Sequence, residues 1–250
     1  RSAGDAAFGS IMEITFMYLM VLPFMEDEHA RERTIDELPQ SAAGKTIMTT
    51  EPKFIPQEAA EIILPELPGT AIQGSAAQPK IKVRLIDCVG FMVEGASGHM
   101  EGNESRMVKT PWSEQEIPFT TAASIGTQKV IRDHATIGIV ITTDGSFGEL
   151  PRESFLEAEK EAITELQKIG KPFLVIVNSA DPSGGAALDT AQYLKDQYQV
   201  TPMLLNCEKM GKKDLNEVFE QFLLEFPLTR VMFRIPGWAE SLEEDHWLKK

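Results

Sequence analysis

Three apolar runs separated by amphipathic helices set the tightest limit on what this chain can fold into. The runs are Ala135–Thr142, Phe173–Val177 and the shorter Met203–Leu205. None alternates with polar residues, so each is expected to be a strand covered on both faces. Between the first two, Glu153–Ile169 places Phe155, Leu156, Ile163, Leu166 and Ile169 along one side and acids along the other. Gly170-Lys171-Pro172 ends that helix. Ala186–Tyr198 and Asp214–Phe226 are expected helices as well. Strands alternating with helices build βαβ units, and these stack into a mostly parallel sheet with helices on both faces. The expected class is therefore α/β, a three-layer α/β/α sandwich.

A further strand, Lys82-Val83-Arg84-Leu85-Ile86, runs into Asp87-Cys88-Val89-Gly90. Ligands of open α/β sheets sit outside the carboxyl ends of the strands. An acid placed there holds Mg²⁺ directly or through water, and the glycine that follows lets backbone approach a γ-phosphate. Asp87 and Gly90 are accordingly candidate site residues.

Upstream, Ile11, Met12, Ile14, Phe16, Met17, Leu19 and Leu22 describe a helix apolar on most faces, expected inside the core. Gly9-Ser10 would stand at its N-terminus, where backbone N–H groups attract phosphate. Glu26–Glu37 is expected to be a solvated helix and Leu38–Thr50 a loop. Pro52–Leu64 holds strand-like runs, and Pro65–Pro79 suits a hairpin or surface excursion. Phe91–Thr121 is a long insert punctuated by Gly95, Gly98, Gly102, Pro111 and Pro118. A loop of that length in a compact domain usually serves function. Thr121–His134 is expected to be helical. Val231–Ile235 leads into an acidic tail, and the chain starts on an expected loop and stops in mid-pattern, as a piece of a longer protein would.

With 250 residues the chain suffices for one domain, or one and a half, with a real core. Its net charge of −14 offers no basic patch to displace counterions from nucleic acid, while leaving room for a partner with a basic face. Cys88 and Cys207 lie far apart beside apolar runs and suit unlinked thiols in a reducing compartment. No apolar run reaches the roughly 20 residues of a membrane span. Ile11–Phe24 is interrupted by Glu13 and Pro23 and has no basic leader or cleavage site, so it is a core helix rather than a signal peptide. His29, His99, His134 and His246 are dispersed, no Cys–His cluster exists, and no Gly-x-Ser-x-Gly elbow occurs.

Directly after the strand Phe173–Val177 comes Asn178-Ser179-Ala180-Asp181. The matching turn of GTPases is Asn-Lys-x-Asp, whose Asn braces the neighbouring loops and whose Asp accepts two hydrogen bonds from guanine. Ser179 stands in place of the Lys, which removes a support for guanine selectivity. A plain Asn/Asp/Pro turn would carry the same residues. Asn206-Cys207-Glu208, after the third run, falls where another base-contacting turn would lie. Asp144-Gly145-Ser146-Phe147-Gly148-Glu149 follows a strand's carboxyl end and would line the same site, or serve only as a turn.

Gly44-Lys45-Thr46 imitates a phosphate-binding P-loop, Gly-x-x-x-x-Gly-Lys-Ser/Thr. Pro39 stands where its first glycine belongs, and the strand–loop–helix context is missing. This segment is better suited to a switch loop, in which Thr49 and Thr50 offer hydroxyls to Mg²⁺ or an attacking water and Lys45 reaches phosphates. A solvated loop with surface threonines is the alternative. By topology the P-loop belongs before Ile11–Leu22. There Ala6-Ala7-Phe8-Gly9-Ser10-Ile11 keeps a glycine and a hydroxyl without a Lys, and Arg1–Asp5 supplies no apolar strand.

The run Asp36-Glu37-Leu38-Pro39-Gln40-Ser41-Ala42-Ala43-Gly44-Lys45-Thr46-Ile47-Met48-Thr49-Thr50-Glu51-Pro52-Lys53-Phe54 closely resembles the stage IV sporulation protein A family of endospore-forming bacteria. So do Leu85–Gly90, Thr136–Gly145, Gly170–Phe173 and Asp245-His246-Trp247-Leu248. The resemblance covers about residues 16–250. It implies a GTPase-like P-loop NTPase fold turned to ATP, with ATP and Mg²⁺ as ligands. By it, Asp87 is the Walker B acid on Mg²⁺, and Thr49 and Thr50 are the threonines needed for hydrolysis. Gly9, Ser10, Gly90, Asn178 and Asp181 would contact nucleotide, with Ser10 and Thr50 joining Asp87 at the metal. It further implies hydrolysis coupled to self-polymerisation into the basement layer of the spore coat. The place implied is the mother-cell cytoplasm, at the forespore surface. A small amphipathic membrane-binding protein would recruit it, other coat proteins would follow, and membrane contact would be indirect. The domain is expected over residues 1–228, with 229–250 opening a connection to a later domain. The family carries Gly-Lys-Ser/Thr where this chain has Phe8-Gly9-Ser10-Ile11. A nucleotide-free scaffold module and a true GTPase are the alternatives.

Overall fold

A computed structural model describes residues 16–38, 52–63, 80–96, 99–101, 104–148, 150–226 and 246. The first described element is a π-helical turn, Met17–Val21, continued by a 3-10 turn, Leu22–Phe24. Phe16, Met17, Val21 and Leu22 are buried, as an all-round apolar segment must be. Helix α1 (Glu28–Glu37) begins where the Asp27 carboxylate accepts hydrogen bonds from His29 N at 3.0 Å and Ala30 N at 3.1 Å. Only Thr34 of this helix is buried, so it is the solvated helix its charges suggest.

Strands β1 (Lys53–Ile63) and β2 (Lys80–Asp87) form an antiparallel ribbon with Lys53 opposite Asp87 and Ile63 opposite Lys80. On β2, exposed Lys80, Lys82 and Arg84 alternate with half-buried Ile81, Val83 and Leu85, the period of a strand with one wet face.

The insert expected as loop folds into two hairpins. These are β3 (Met100–Glu101) with β4 (Glu104–Ser105), and β5 (Met107–Thr110) with β6 (Ser113–Pro118). Gly95 and Pro111 sit at turns, and that punctuation hid strands this short. The second hairpin lies on helix α2 (Phe119–Lys129), where Arg106 stacks over Phe119 at 5.1 Å and Lys129 over Trp112 at 6.0 Å. A π-helical turn, Val130–His134, extends α2.

The rest is the predicted βαβ succession: β7 (Gly138–Thr143), α3 (Leu156–Ile169), β8 (Phe173–Asn178), α4 (Gly185–Tyr198), β9 (Met203–Leu205) and α5 (Lys212–Glu225). A 3-10 turn, Arg152–Phe155, leads into α3, and Gly170 closes it in the left-handed conformation at φ 70°. The sheet is parallel in the order β7-β8-β9, with Gly138 opposite Phe173, Thr143 opposite Asn178 and Asn178 opposite Leu205. Successive β8 side chains enter opposite layers. Val175 and Val177 meet Ile163, Leu166 and Leu194, whereas Leu174 and Ile176 meet Met17, Val21, Leu215 and Val218. That is the expected three-layer arrangement. Burial is greatest on the central strand, where only Phe173 stays half-buried. In β7 and β9, each paired on one edge among the described residues, half-buried residues remain.

The ribbon shares the Leu174–Ile176 layer through Ile55, Ala60 and Ile62. At its Asp87 end, Phe54 packs edge-on against His134 at 5.3 Å. Among the described residues no helix is long and apolar enough to cross a membrane.

Candidate nucleotide site

The carboxyl ends of β7, β8 and β9 carry a closed polar cluster. Asn178, the last residue of β8, is fully buried, and its Oδ1 accepts from Cys207 N at 2.9 Å. Its Nδ2 is buried with no hydrogen-bond partner. Ser179 is fully buried as well: its N–H donates to Leu205 O at 2.8 Å and its hydroxyl to Asp144 Oδ2 at 2.6 Å. The same Ser179 Oγ accepts from Asp181 N at 3.1 Å. Ser146 Oγ donates to Asp144 Oδ1 and accepts from Ala180 N at 2.8 Å. Asn206 Nδ2 donates to Ala180 O at 3.3 Å, while its Oδ1 accepts from Glu208 N and Lys209 N.

Asp181 folds back on its own turn. Its Oδ1 accepts from Ser183 N at 3.2 Å and its carbonyl from Gly184 N at 2.9 Å. A Cβ on Gly184 would stand 3.0 Å from Asp181 Oδ2, so any larger residue there would press on the Asp181 carboxylate. Burial pushes the Asp144 carboxyl up, but hydrogen bonds from Ser146 and Ser179 outweigh it and hold the group below the usual Asp value.

The loop after β7 is tied down behind this cluster. Arg152 donates to Thr142 Oγ1 at 3.3 Å and pairs with Glu159 Oε2 at 2.8 Å. The Glu159 side chain is 1% exposed, so the pair is a buried one. Gly145, at φ 85°, passes so near Arg152 that a Cβ would lie 3.1 Å from the Arg152 backbone N.

Asp87 ends β2 opposite Lys53. Burial pushes its carboxyl up, Lys53 pulls it down, and burial prevails. A half-buried oxygen donor whose charge is disfavoured suits a hard cation, which would restore the charged form. Gly90 adopts φ 80° with open space where a Cβ would stand, so the backbone conformation rather than crowding calls for glycine.

The described contacts bring Asn178 and Asp181 together with Asp144, Ser146, Ser179 and Asn206. They do not join Asp87 or Gly90 to that cluster. Phe54, opposite Ile86, meets His134 before the amino end of β7, whereas Asp144 follows the carboxyl end. Gly9, Ser10, Lys45, Thr49 and Thr50 lie outside the described residues. The sequence offered the Asp144 loop as a lining or a turn, and only the fold shows Ser146 bridging it to Ala180. Asn206 carried no signal beyond its place after a strand. No group of three His, Cys, Asp or Glu among the described residues is arranged to hold a metal ion. Cys88 and Cys207 are not joined in a disulfide, and burial pushes the Cys207 thiol up to about 11.

The orphaned Asn178 amide tests whether these residues fit a nucleotide. A fully buried donor without an acceptor is costly, and it lies in a turn that also offers a carboxylate. The amide suits a carbonyl or ring-nitrogen acceptor of a ligand or loop, and the carboxylate suits an N–H donor.

Comparison with known proteins agrees. The family model for stage IV sporulation protein A, ATPase domain, matches residues 6–227. The chain is 42% identical to stage IV sporulation protein A of Bacillus anthracis over all of its own length and 50% of the relative's. It is 43% identical to the proteins of that name from Clostridioides difficile (strain 630) and Bacillus subtilis (strain 168), again over all of this chain and 50% of each relative. It thus spans about half the length of the curated relatives it matches. No solved structure matches it. Helices on both faces of a parallel sheet are the architecture of a P-loop NTPase-like fold, and the chain belongs to the stage IV sporulation protein A family, over its ATPase domain.

Proposed function

We propose that this sporulation protein binds and hydrolyses ATP with Mg²⁺, and that hydrolysis drives its self-assembly into the coat basement layer on the forespore surface. The observation that carries the nucleotide reading is the turn Asn178–Asp181, which is closed through Ser179 and Ser146 onto the Asp144 carboxylate. Guanine offers paired N–H donors that suit both oxygens of a carboxylate. Here Asp181 Oδ1 already accepts from Ser183 N, and the Lys position holds Ser179, turned inward to Asp144. The Asp181 carboxylate keeps lone pairs for the amine of a base, and the absent Lys removes a support for guanine.

In this reading Asp87 holds Mg²⁺ together with the hydroxyls of Ser10 and Thr50. Bound Mg²⁺ supplies neutralisation of phosphate charge. Thr49 and Thr50 align the attacking water. Gly9, Ser10 and Gly90 present backbone to the phosphates, and Asn178 and Asp181 orient the base. The domain runs over residues 1–228, and 229–250 opens the connection to the next. The net charge of −14 favours basic-faced partners over anionic lipid, in keeping with recruitment through a small amphipathic membrane-binding protein and onward binding of coat proteins.

Isothermal titration of the full-length protein with Mg-ATP and Mg-GTP tests the reading. Saturable ATP binding lost on chelation is the expected result. A flat trace with both nucleotides leaves a nucleotide-free scaffold module, the reading favoured by the Lys-less Phe8-Gly9-Ser10-Ile11. Tighter binding of GTP makes the protein a GTPase.

A further inference from the structure

One carboxylate organises two consecutive amides of the turn. Asp144 follows β7 just past Thr143, the residue that stands opposite Asn178. Its Oδ2 accepts from Ser179 Oγ at 2.6 Å, and its Oδ1 accepts from Ser146 Oγ and, at 3.0 Å, from Ser146 N. Each hydroxyl has one proton to give and lone pairs to receive. Giving the proton to a carboxylate fixes the rotor and makes a strong, charge-assisted bond. The lone pairs are then aimed. Ser146 Oγ receives Ala180 N at 2.8 Å, and Ser179 Oγ receives Asp181 N at 3.1 Å. The base of the relay is firm, because Gly145 N donates to Thr143 Oγ1 at 3.1 Å and Arg152 anchors the following turn to Thr142 and Glu159.

We propose that Asp144 is a positioning residue of the nucleotide-base turn: through Ser146 and Ser179 it fixes the Ala180–Asp181 backbone, and with it the direction in which the Asp181 carboxylate meets an adenine base. The proposal rests on the reading of this turn as the base site. It gives Ser179 a job the GTPase Lys does not have, as an inward relay rather than a contact to nucleotide. Asparagine at 144 keeps the shape but has one acceptor oxygen for two hydroxyls, so one arm of the relay fails.

The test uses the full-length protein with Asp144→Asn, Ser146→Ala, Ser146→Thr and, as a marker of base contact, Asp181→Ala. The readouts are affinity for Mg-ATP, affinity for Mg-tripolyphosphate, which has no base, and amide hydrogen exchange at Ala180 and Asp181. Asp144→Asn is expected to weaken ATP binding about tenfold, leave tripolyphosphate binding unchanged, and speed exchange about tenfold at whichever of Ala180 and Asp181 loses its arm. Ser146→Ala should do so at Ala180 alone, and Ser146→Thr should restore wild-type behaviour. Ser146 is exposed, so its variants keep the test alive if Asp144→Asn does not fold. Unchanged exchange in Asp144→Asn, or a Ser146→Thr as defective as Ser146→Ala, overturns the relay. Faster exchange with unaltered ATP affinity, or an equal loss of tripolyphosphate affinity, overturns the positioning role. If the wild type binds ATP no better than tripolyphosphate, or Asp181→Ala changes nothing, the base-turn reading itself falls, and the relay's role in nucleotide binding falls with it.

Discussion

Replacing Asn178 with alanine should cost the fold more than its size suggests. The side chain is fully buried, and its Oδ1 is the acceptor for Cys207 N, in a residue that is itself 1% exposed. Water cannot take over that role at such burial, so the variant leaves a buried N–H unpaired, a loss of about 1–3 kcal/mol. The vacated volume adds a further cost of the same sign. One effect opposes these: the variant also removes Nδ2, a buried donor with no partner, whose desolvation the wild type already carries. The unpaired amide and the cavity win, because the Nδ2 penalty is at most equal to the first of them. The net loss is about 1–3 kcal/mol. A domain of this length shifts its Tm by about 2–4 °C per kcal/mol, so the fall is about 2–12 °C. Urea unfolding followed by circular dichroism should show a lower midpoint at unchanged slope. A midpoint within about 0.5 kcal/mol of wild type would refute the claim that Oδ1 alone satisfies Cys207 N.

Three further outcomes follow from the same geometry. Asp87→Asn should raise stability at pH 7 while abolishing Mg-ATP turnover. Burial raises the folded-state pKa of Asp87, so its contribution is full below the unfolded value of 3.8 and is lost as pH rises through the folded value; the gain should therefore shrink towards pH 3, and equal or lower stability at pH 7 counts against the reasoning. Arg152→Ala strands Glu159, 1% exposed, without its cation and should destabilise by about 3–5 kcal/mol, with part recovered in Arg152→Ala/Glu159→Gln; denaturant titration of both variants measures this. Cys207, its thiol pushed up to about 11, should resist alkylation at pH 8 until urea unfolds the chain, and rapid native labelling there would contradict the burial argument.

Much of the architecture was written locally. Phe173–Val177 is apolar at every position, and only a central strand hides both faces; β8 is that strand. The acids and apolar residues of Glu153–Ile169 sort at helical spacing, and Gly170 marks the stop, so α3 was legible to within a turn. The Asn178–Asp181 turn could be singled out because it directly follows such a strand. The hairpins Met100–Ser105 and Met107–Pro118 escaped, since strands so short carry too few alternations to outweigh their glycines and prolines.

The direction of Ser179 was beyond sequence reading. Its neighbours in the chain permit an outward side chain as readily as an inward one, and the choice falls to Asp144, which reaches it only because β7 and β8 pair in register. Ser146 gained Ala180 as a partner by the same accident of adjacency, and Asp87 gained Lys53 from the ribbon. Hydrophobic period is a property of a segment and survives in one dimension. A polar side chain's partner belongs to another segment, and it is assigned only when the strands are laid side by side.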